Sequence, residues 1–150
     1  MTTVLEAPAS AATTTAPRTE EIAQSAIAAA ESAKGDRHVA LIGQLAHDLP
    51  SIEPSVAPLL QATLITLLTA AITRTERGIV ALAARAVPNT EGPSLVRITV
   101  TDTGIGRATG YAYDACAPLV DRFGGSLSVE SAPGVGSCFT LEFDPSRPAR

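Results

Sequence analysis

Val96-Arg97-Ile98-Thr99-Val100-Thr101-Asp102-Thr103-Gly104-Ile105-Gly106 is the stretch that decides the fold. Val96, Ile98 and Val100 alternate with Arg97, Thr99 and Thr101, the period of a half-buried strand, and the strand runs straight into Asp-Thr-Gly-Ile-Gly. A carboxylate at a strand end can accept a hydrogen bond from a ligand, and the glycines after it let that ligand approach the backbone. Asp-Thr-Gly is equally an ordinary turn after a strand. Further on come Gly124-Gly125-Ser126-Leu127-Ser128-Val129-Glu130-Ser131 and Gly134-Val135-Gly136-Ser137-Cys138-Phe139-Thr140-Leu141, two more glycine turns that open alternating strands.

The chain has 150 residues, enough for one domain with a real core. Hydrophobic content is 45% and charged content 17%, which fits a globular protein. Aromatics make up only 3%, so Leu, Ile, Val and Ala must build the core. The net charge is −4 and there is no basic run, which argues against nucleic-acid binding, because phosphates are neutralised by clustered Lys or Arg. Cys116 and Cys138 lack metal-ligand spacing and read as reduced thiols of a cytoplasmic protein. No metal site is expected. The N-terminus lacks a basic region followed by an apolar run, so no signal peptide is expected. The most apolar stretch, 56–72, contains Pro58, Gln61, Thr63, Thr66 and Thr69; it reads as a buried helix, not a membrane span.

Outward from the central strand, four segments follow. Residues 1–18 are rich in Ala, Thr and Pro and are expected to be a disordered tail. Residues 19–48 read as two N-terminal helices. Thr19 caps the first, with Glu20 and Glu21 in its first turn and Gly35 at its end. Asp36 caps the second, where Val39, Ile42, Leu45 and Leu49 recur at helical spacing. Residues 49–143 hold a helix over 56–74, strands over 79–87 and 96–101, a helical stretch kinked or delayed by Pro118, and strands over 126–131 and 137–143. Residues 144–150 form a polar, proline-containing tail. Helix, two strands, helix, two strands predicts an α/β (α+β) sandwich: one mixed sheet with helices on one face, plus an N-terminal helical extension. The expected core is Leu64, Leu68, Ile72, Ile98, Val100, Leu127, Phe139 and Leu141.

The order, the spacing and the glycine motifs over about 49–143 resemble the ATP-binding domain of bacterial sensor histidine kinases, in the wider family of DNA gyrase and Hsp90. The resemblance implies the Bergerat-type ATPase fold. It implies nucleotide contacts at Asp102, Gly104, Gly106, Gly110 and Ser137, with Asp102 on the adenine amino group and Ser137 fixing the base through water. It also exposes departures. Kinases of this type carry Asn on the first domain helix, in a context like Leu-Leu-x-Asn-Ala-Ile-Lys. This chain reads Leu67-Leu68-Thr69-Ala70-Ala71-Ile72-Thr73-Arg74. Ala70 has no oxygen for magnesium, Thr66 stands where a Glu or His base often sits, and Thr73 replaces the Lys. The family's long lid shrinks to Gly106-Arg107-Ala108-Thr109-Gly110, and the later box glycines become Ala112 and Tyr113. His47, in Leu45-Ala46-His47-Asp48, looks superficially like a phospho-accepting histidine, but the gap to Ala70 is too short for the kinase hairpin.

The expectation is therefore a non-catalytic, pseudokinase-like module in bacterial two-component-type signalling, with no catalytic residues, that contacts a kinase or a response regulator. A homodimer through the alanine-rich stripe of the first helix (Ile22, Ala23, Ala26, Ile27, Ala30) competes with packing of that stripe on the chain's own domain. The alternative function is an adenine-nucleotide (ATP/ADP) binding domain that retains weak binding without hydrolysis, or works as a kinase subunit with a partner supplying the missing parts; no magnesium is expected.

Overall fold

The computed structural model describes residues 16–107 and 109–150, so residues 1–15 of the tail expected over 1–18 lie outside the described residues. The elements are α1 (Thr19–Lys34), β1 (His38–Leu45), α2 (Ala57–Arg74), β2 (Arg77–Val87), β3 (Leu95–Asp102), α3 (Gly110–Arg122), β4 (Ser126–Ala132) and β5 (Gly136–Phe143). The five strands form one mixed sheet in the order β1-β2-β3-β5-β4, with β1 parallel to β2 and every other pair antiparallel. All three helices contact one another or the sheet on a single side, as the α+β sandwich requires.

The central helix α2 sets the core. Pro58 sits in its first turn, where the missing N–H costs nothing. Leu60, Leu64, Leu67, Leu68, Ala71 and Ile72 are buried, facing α1, α3 and the sheet. By length and composition α2 could cross a membrane, but here its apolar stripe is spent inside the domain. The hydroxyls of Thr63, Thr69, Thr73 and Thr75 donate to the carbonyls of Leu59, Ile65, Thr69 and Ala71, which lets polar residues sit on so apolar a helix. Opposite α2, register pairs Val100 with Phe139 and Ile98 with Leu141, so the two central strands present one buried apolar face. Of the expected core only Leu127 is not fully buried. Phe123 and Phe143 add an edge-to-face pair, centroids 5.4 Å apart.

The second expected helix, over 36–48, is instead strand β1. Eight residues are too few for periodicity to separate helix from strand, and apolar side chains fall on both faces: Val39, Leu41 and Leu45 toward the helices, Ala40 and Ile42 away. Gly43 lets α1 cross closely, since a β-carbon there would lie 2.8 Å from Ile27 Cδ1. The boundary expected at residue 49 therefore cuts through the sheet; 19–48 is not an extension.

Other expectations need smaller corrections. Arg18, not Thr19, is the N-cap of α1, and Thr19 buries its hydroxyl to donate to Pro50 O at 2.7 Å. Residues 17 and 18 are anchored, because Pro17 O accepts from Ile52 N and Arg18 bridges Ser51. Helix α3 runs unbroken through Pro118; Pro118 and Asp114, four residues before it, are both exposed, so water can satisfy the carbonyl left without a donor. The C-terminal segment is sewn down: Pro145 O accepts from Glu53 N, Ala149 N donates to Ser55 Oγ, and Arg150 pairs with Asp121.

Three outcomes follow. Leu68→Ala should destabilise by about 2–5 kcal/mol in chemical denaturation, through lost burial plus a residual cavity. Deleting 1–48 should abolish cooperative unfolding, because it removes an edge strand and the cover over α2. The Cys116 thiol, fully buried with Sγ 3.7 Å from Thr63 O, is pushed up by desolvation from 9.0 to about 11. The folded state then holds that proton more tightly than the unfolded chain. The associated stability is complete below pH 9 and should be lost as pH rises toward 11, visible as a falling melting temperature.

Candidate functional site

The site lies where β3 ends, α2 ends and the β4–β5 turn closes. Asp102 is the last residue of β3, and the alternation that buries Val96, Ile98 and Val100 also turns its side chain inward, with no solvent exposure. Ser137 stands opposite it on β5, on the same face, buried and with no hydrogen-bond partner for its hydroxyl. Gly104 follows in the turn, and its N–H donates to Asp102 Oδ1 at 2.9 Å.

The other carboxylate oxygen is taken from within the chain. Arg74, the last residue of α2, reaches Asp102 Oδ2 at 3.0 Å. Its side chain is 5% exposed, and its guanidinium carbon lies 5.6 Å from the centroid of Phe139, within cation–π range. The position also suits a cation at a helix C-terminus. Arg74 Nε is buried without a partner. Asp102 is thus an ion-paired, doubly hydrogen-bonded carboxylate. Each of its oxygens accepts a hydrogen bond from within the chain.

The glycines are likewise used by the chain itself. A β-carbon on Gly104 would meet Arg74 O at 2.4 Å, one on Gly106 would meet Ala132 O at 2.0 Å, and one on Gly136 would meet Asp102 O at 2.1 Å. Gly106 has φ +68, a conformation that favours glycine. Further contacts lock the turn: Ile105 N donates to Arg74 O and Gly134 N to Ile105 O. The turn is packed between the end of α2 and the β4–β5 hairpin.

Two hollows flank this knot. One, of about 400 Å³, is lined by residues that include Asp102, Thr103, Val135, Gly136 and Ser137. The other, of about 430 Å³, lies between α2 and α3 and is lined by Thr66, Thr69, Ala70, Thr73, Arg74, Tyr111 and Ala112. Ala70 faces this second hollow with only a methyl group. Among the described residues no three His, Cys, Asp or Glu side chains converge to hold a metal.

The structure therefore brings together Asp102, Gly104, Gly106 and Ser137. Gly110 is the first residue of α3, with open space around it. His47 is exposed in the turn after β1, at the opposite end of the sheet: Ala46 N still bonds Ala84 O on β2, whereas Asp102 pairs with Val80. Arg74 is the residue that sequence reasoning passed over. A cue was present, because Leu60, Leu64, Leu67, Ala71 and Arg74 follow one helical stripe, which carries the arginine into the core.

No family model matches the chain, and no curated protein matches it. Solved structures do. The catalytic domain of histidine kinase ThkA is 17% identical, with a TM-score of 0.71 over 86% of this chain and 93% of that one. The histidine kinase domain of the Erythrobacter litoralis EL346 blue-light activated histidine kinase is 17% identical, with a TM-score of 0.65 over 83% of this chain. This chain spans 61% of that domain and 40% of the longer EL346 kinase. Full-length ShkA in complex with AMPPNP is 24% identical, with a TM-score of 0.62 over 87% of this chain and 30% of that one. The chain has the fold of histidine kinase catalytic domains.

Proposed function

We propose that this chain is a non-catalytic module on the histidine-kinase catalytic fold, working through protein contacts in bacterial two-component-type signalling rather than by transferring phosphate. The observation that carries this reading is the Arg74–Asp102 pair. The carboxylate that the resemblance assigns to an adenine amino group already has a guanidinium on one oxygen and a backbone N–H on the other. Phosphoryl transfer needs a metal and positioned phosphates. Ala70 offers no oxygen ligand, and β3 passes to α3 through residues 103–109 without a long segment to fold over a triphosphate. The partner is a kinase or a response regulator in the cytoplasm.

One observation favours a second reading, an adenine-nucleotide binder without hydrolysis. The buried hydroxyl of Ser137 lacks a partner and stands opposite Asp102 on the same face of the sheet. Calorimetric titration with ATP and ADP, with and without magnesium, separates the two. The expected result is no saturable heat in any titration. Micromolar affinity that depends on magnesium would sink the proposal, while binding of ATP and ADP alike without magnesium would establish the second reading.

The pair itself predicts a stability pattern. Arg74→Ala leaves a buried carboxylate without its counter-charge and should cost about 3–5 kcal/mol in urea denaturation. The double variant Arg74→Met/Asp102→Leu should recover most of that loss, since removing both charges leaves no buried ion unpaired and only the Gly104 N–H without its acceptor.

A further inference from the structure

At the end of the sheet away from Asp102, where Val96 pairs with Phe143 and Ser126 with Glu142, the segment after β5 folds back over the C-terminal end of α3. Arg150 N donates to Arg122 O at 2.7 Å, and Arg122 Nε donates to Arg150 O at 3.2 Å. This brings Arg122, Arg147 and Arg150 around one hollow of about 290 Å³ beside Gly124-Gly125, in which Asp121 is the only acidic side chain. Asp121 is taken by Arg150 at 3.0 Å. Glu142 and Asp144 line a neighbouring hollow with Arg147, and both are committed: Glu142 to Arg97, and Asp144 to the N–H and hydroxyl of Ser146. Among the described residues Arg147 forms no ion pair. Its place is nevertheless specified. Gly124 has φ +71, and a β-carbon there would lie 2.8 Å from Arg147 Nη1, so glycine makes the room that the guanidinium occupies.

We propose that this arginine cluster docks an acidic segment of a partner protein, whose Asp and Glu carboxylates pair with the guanidiniums of Arg122, Arg147 and Arg150. Charge complementarity selects this occupant. The chain carries a net charge of −4, so an acidic partner is repelled by most of its surface and drawn to the end where three guanidiniums face one carboxylate side chain. A guanidinium presents a planar fork of donors that fits a carboxylate two at a time. All three arginines are exposed, open to side chains arriving on a second surface. A cation beside the carbonyl end of a helix is favourable in itself, and that accounts for Arg150, whose Nη2 reaches Asp121 O at 2.6 Å. It does not account for Arg147, which is held in place without a counter-charge. Nucleic acid fits less well, because its run of phosphates extends beyond the cluster onto an acidic chain. The proposal rests on the reading that the chain works through protein contacts, and it adds the chemistry of the partner's surface.

Fluorescence anisotropy of a labelled hexaglutamate peptide, titrated with the full chain at low and at high salt, tests it. The expected result is saturable binding at low salt that weakens as salt screens the charges. Arg147→Glu and Arg122→Glu should each raise the dissociation constant about tenfold or more. Arg147→Glu should do so without lowering the melting temperature, since the Arg147 side chain forms no ion pair within the domain. Arg77→Glu makes the same change in net charge at the Asp102 end of the sheet, where Arg77 is exposed, and should leave the affinity unchanged. Absence of saturable binding overturns the proposal, and so does an equal loss in Arg77→Glu. Tighter binding of a labelled oligothymidylate would assign the cluster to nucleic acid instead, and inorganic phosphate that competes as well as the peptide would reduce it to a small-anion site; either result also overturns the proposal. Magnesium-dependent ATP binding would sink the non-catalytic reading while leaving the peptide titration unchanged, so the two failures are distinguishable.

Discussion

A single buried ion pair ties the candidate site together. Arg74 and Asp102 lie 28 residues apart in sequence, at the end of the central helix and the end of the central strand. Neither could be buried alone, since an isolated charge in an apolar interior costs several kcal/mol even after relaxation. Together, with Gly104 on one side and Phe139 beneath, they are tolerated, and in return they determine where α2 stops relative to β3. The glycine turn is then clamped, because Arg74 O accepts from Ile105 N and leaves no room for a β-carbon at Gly104.

That pair also changes what the glycine motif does. Asp102, Gly104 and Gly106 remain in the order that suggests a base-binding turn, but the donors and backbone that fill them belong to this chain. A close approach is still what the glycines permit, and the group approaching is protein. The hollow beside Ala70 persists at about 430 Å³. Its three threonines line it with methyls and hydroxyls, and those of Thr69 and Thr73 are committed to helix carbonyls.

The N-terminal third shows how one element can be legible and its neighbour not. Helix α1 was readable from its acidic first turn and from Gly35, which has φ +58. Strand β1 was not. Val39, Ile42 and Leu45 fit a helical spacing, and the same residues with Ala40 and Leu41 fit a strand that is apolar on both sides. Only the free flank of β2, which needed a parallel neighbour joined by a crossover helix, decides between them. The same placement turned the alanine stripe of α1 from a candidate for self-association into cover for α2, and moved His47 to the far end of the sheet.

The sequence by itself determined the strands β2 to β5, the central helix and most of the core, because those signals are local: period-two alternation, period-3.6 alternation, and glycine or proline at turns. The resemblance carried by its glycine motifs also grouped Asp102, Gly104 and Ser137 in one site. Tertiary structure alone decided what occupies that site. An arginine at the end of an apolar helix can point to water or turn inward, and only the presence of a buried carboxylate at 3.0 Å makes the inward rotamer stable. Charge pairing of this kind acts through space between distant segments, so neither Arg74 nor Asp102 announces it in its own sequence neighbourhood.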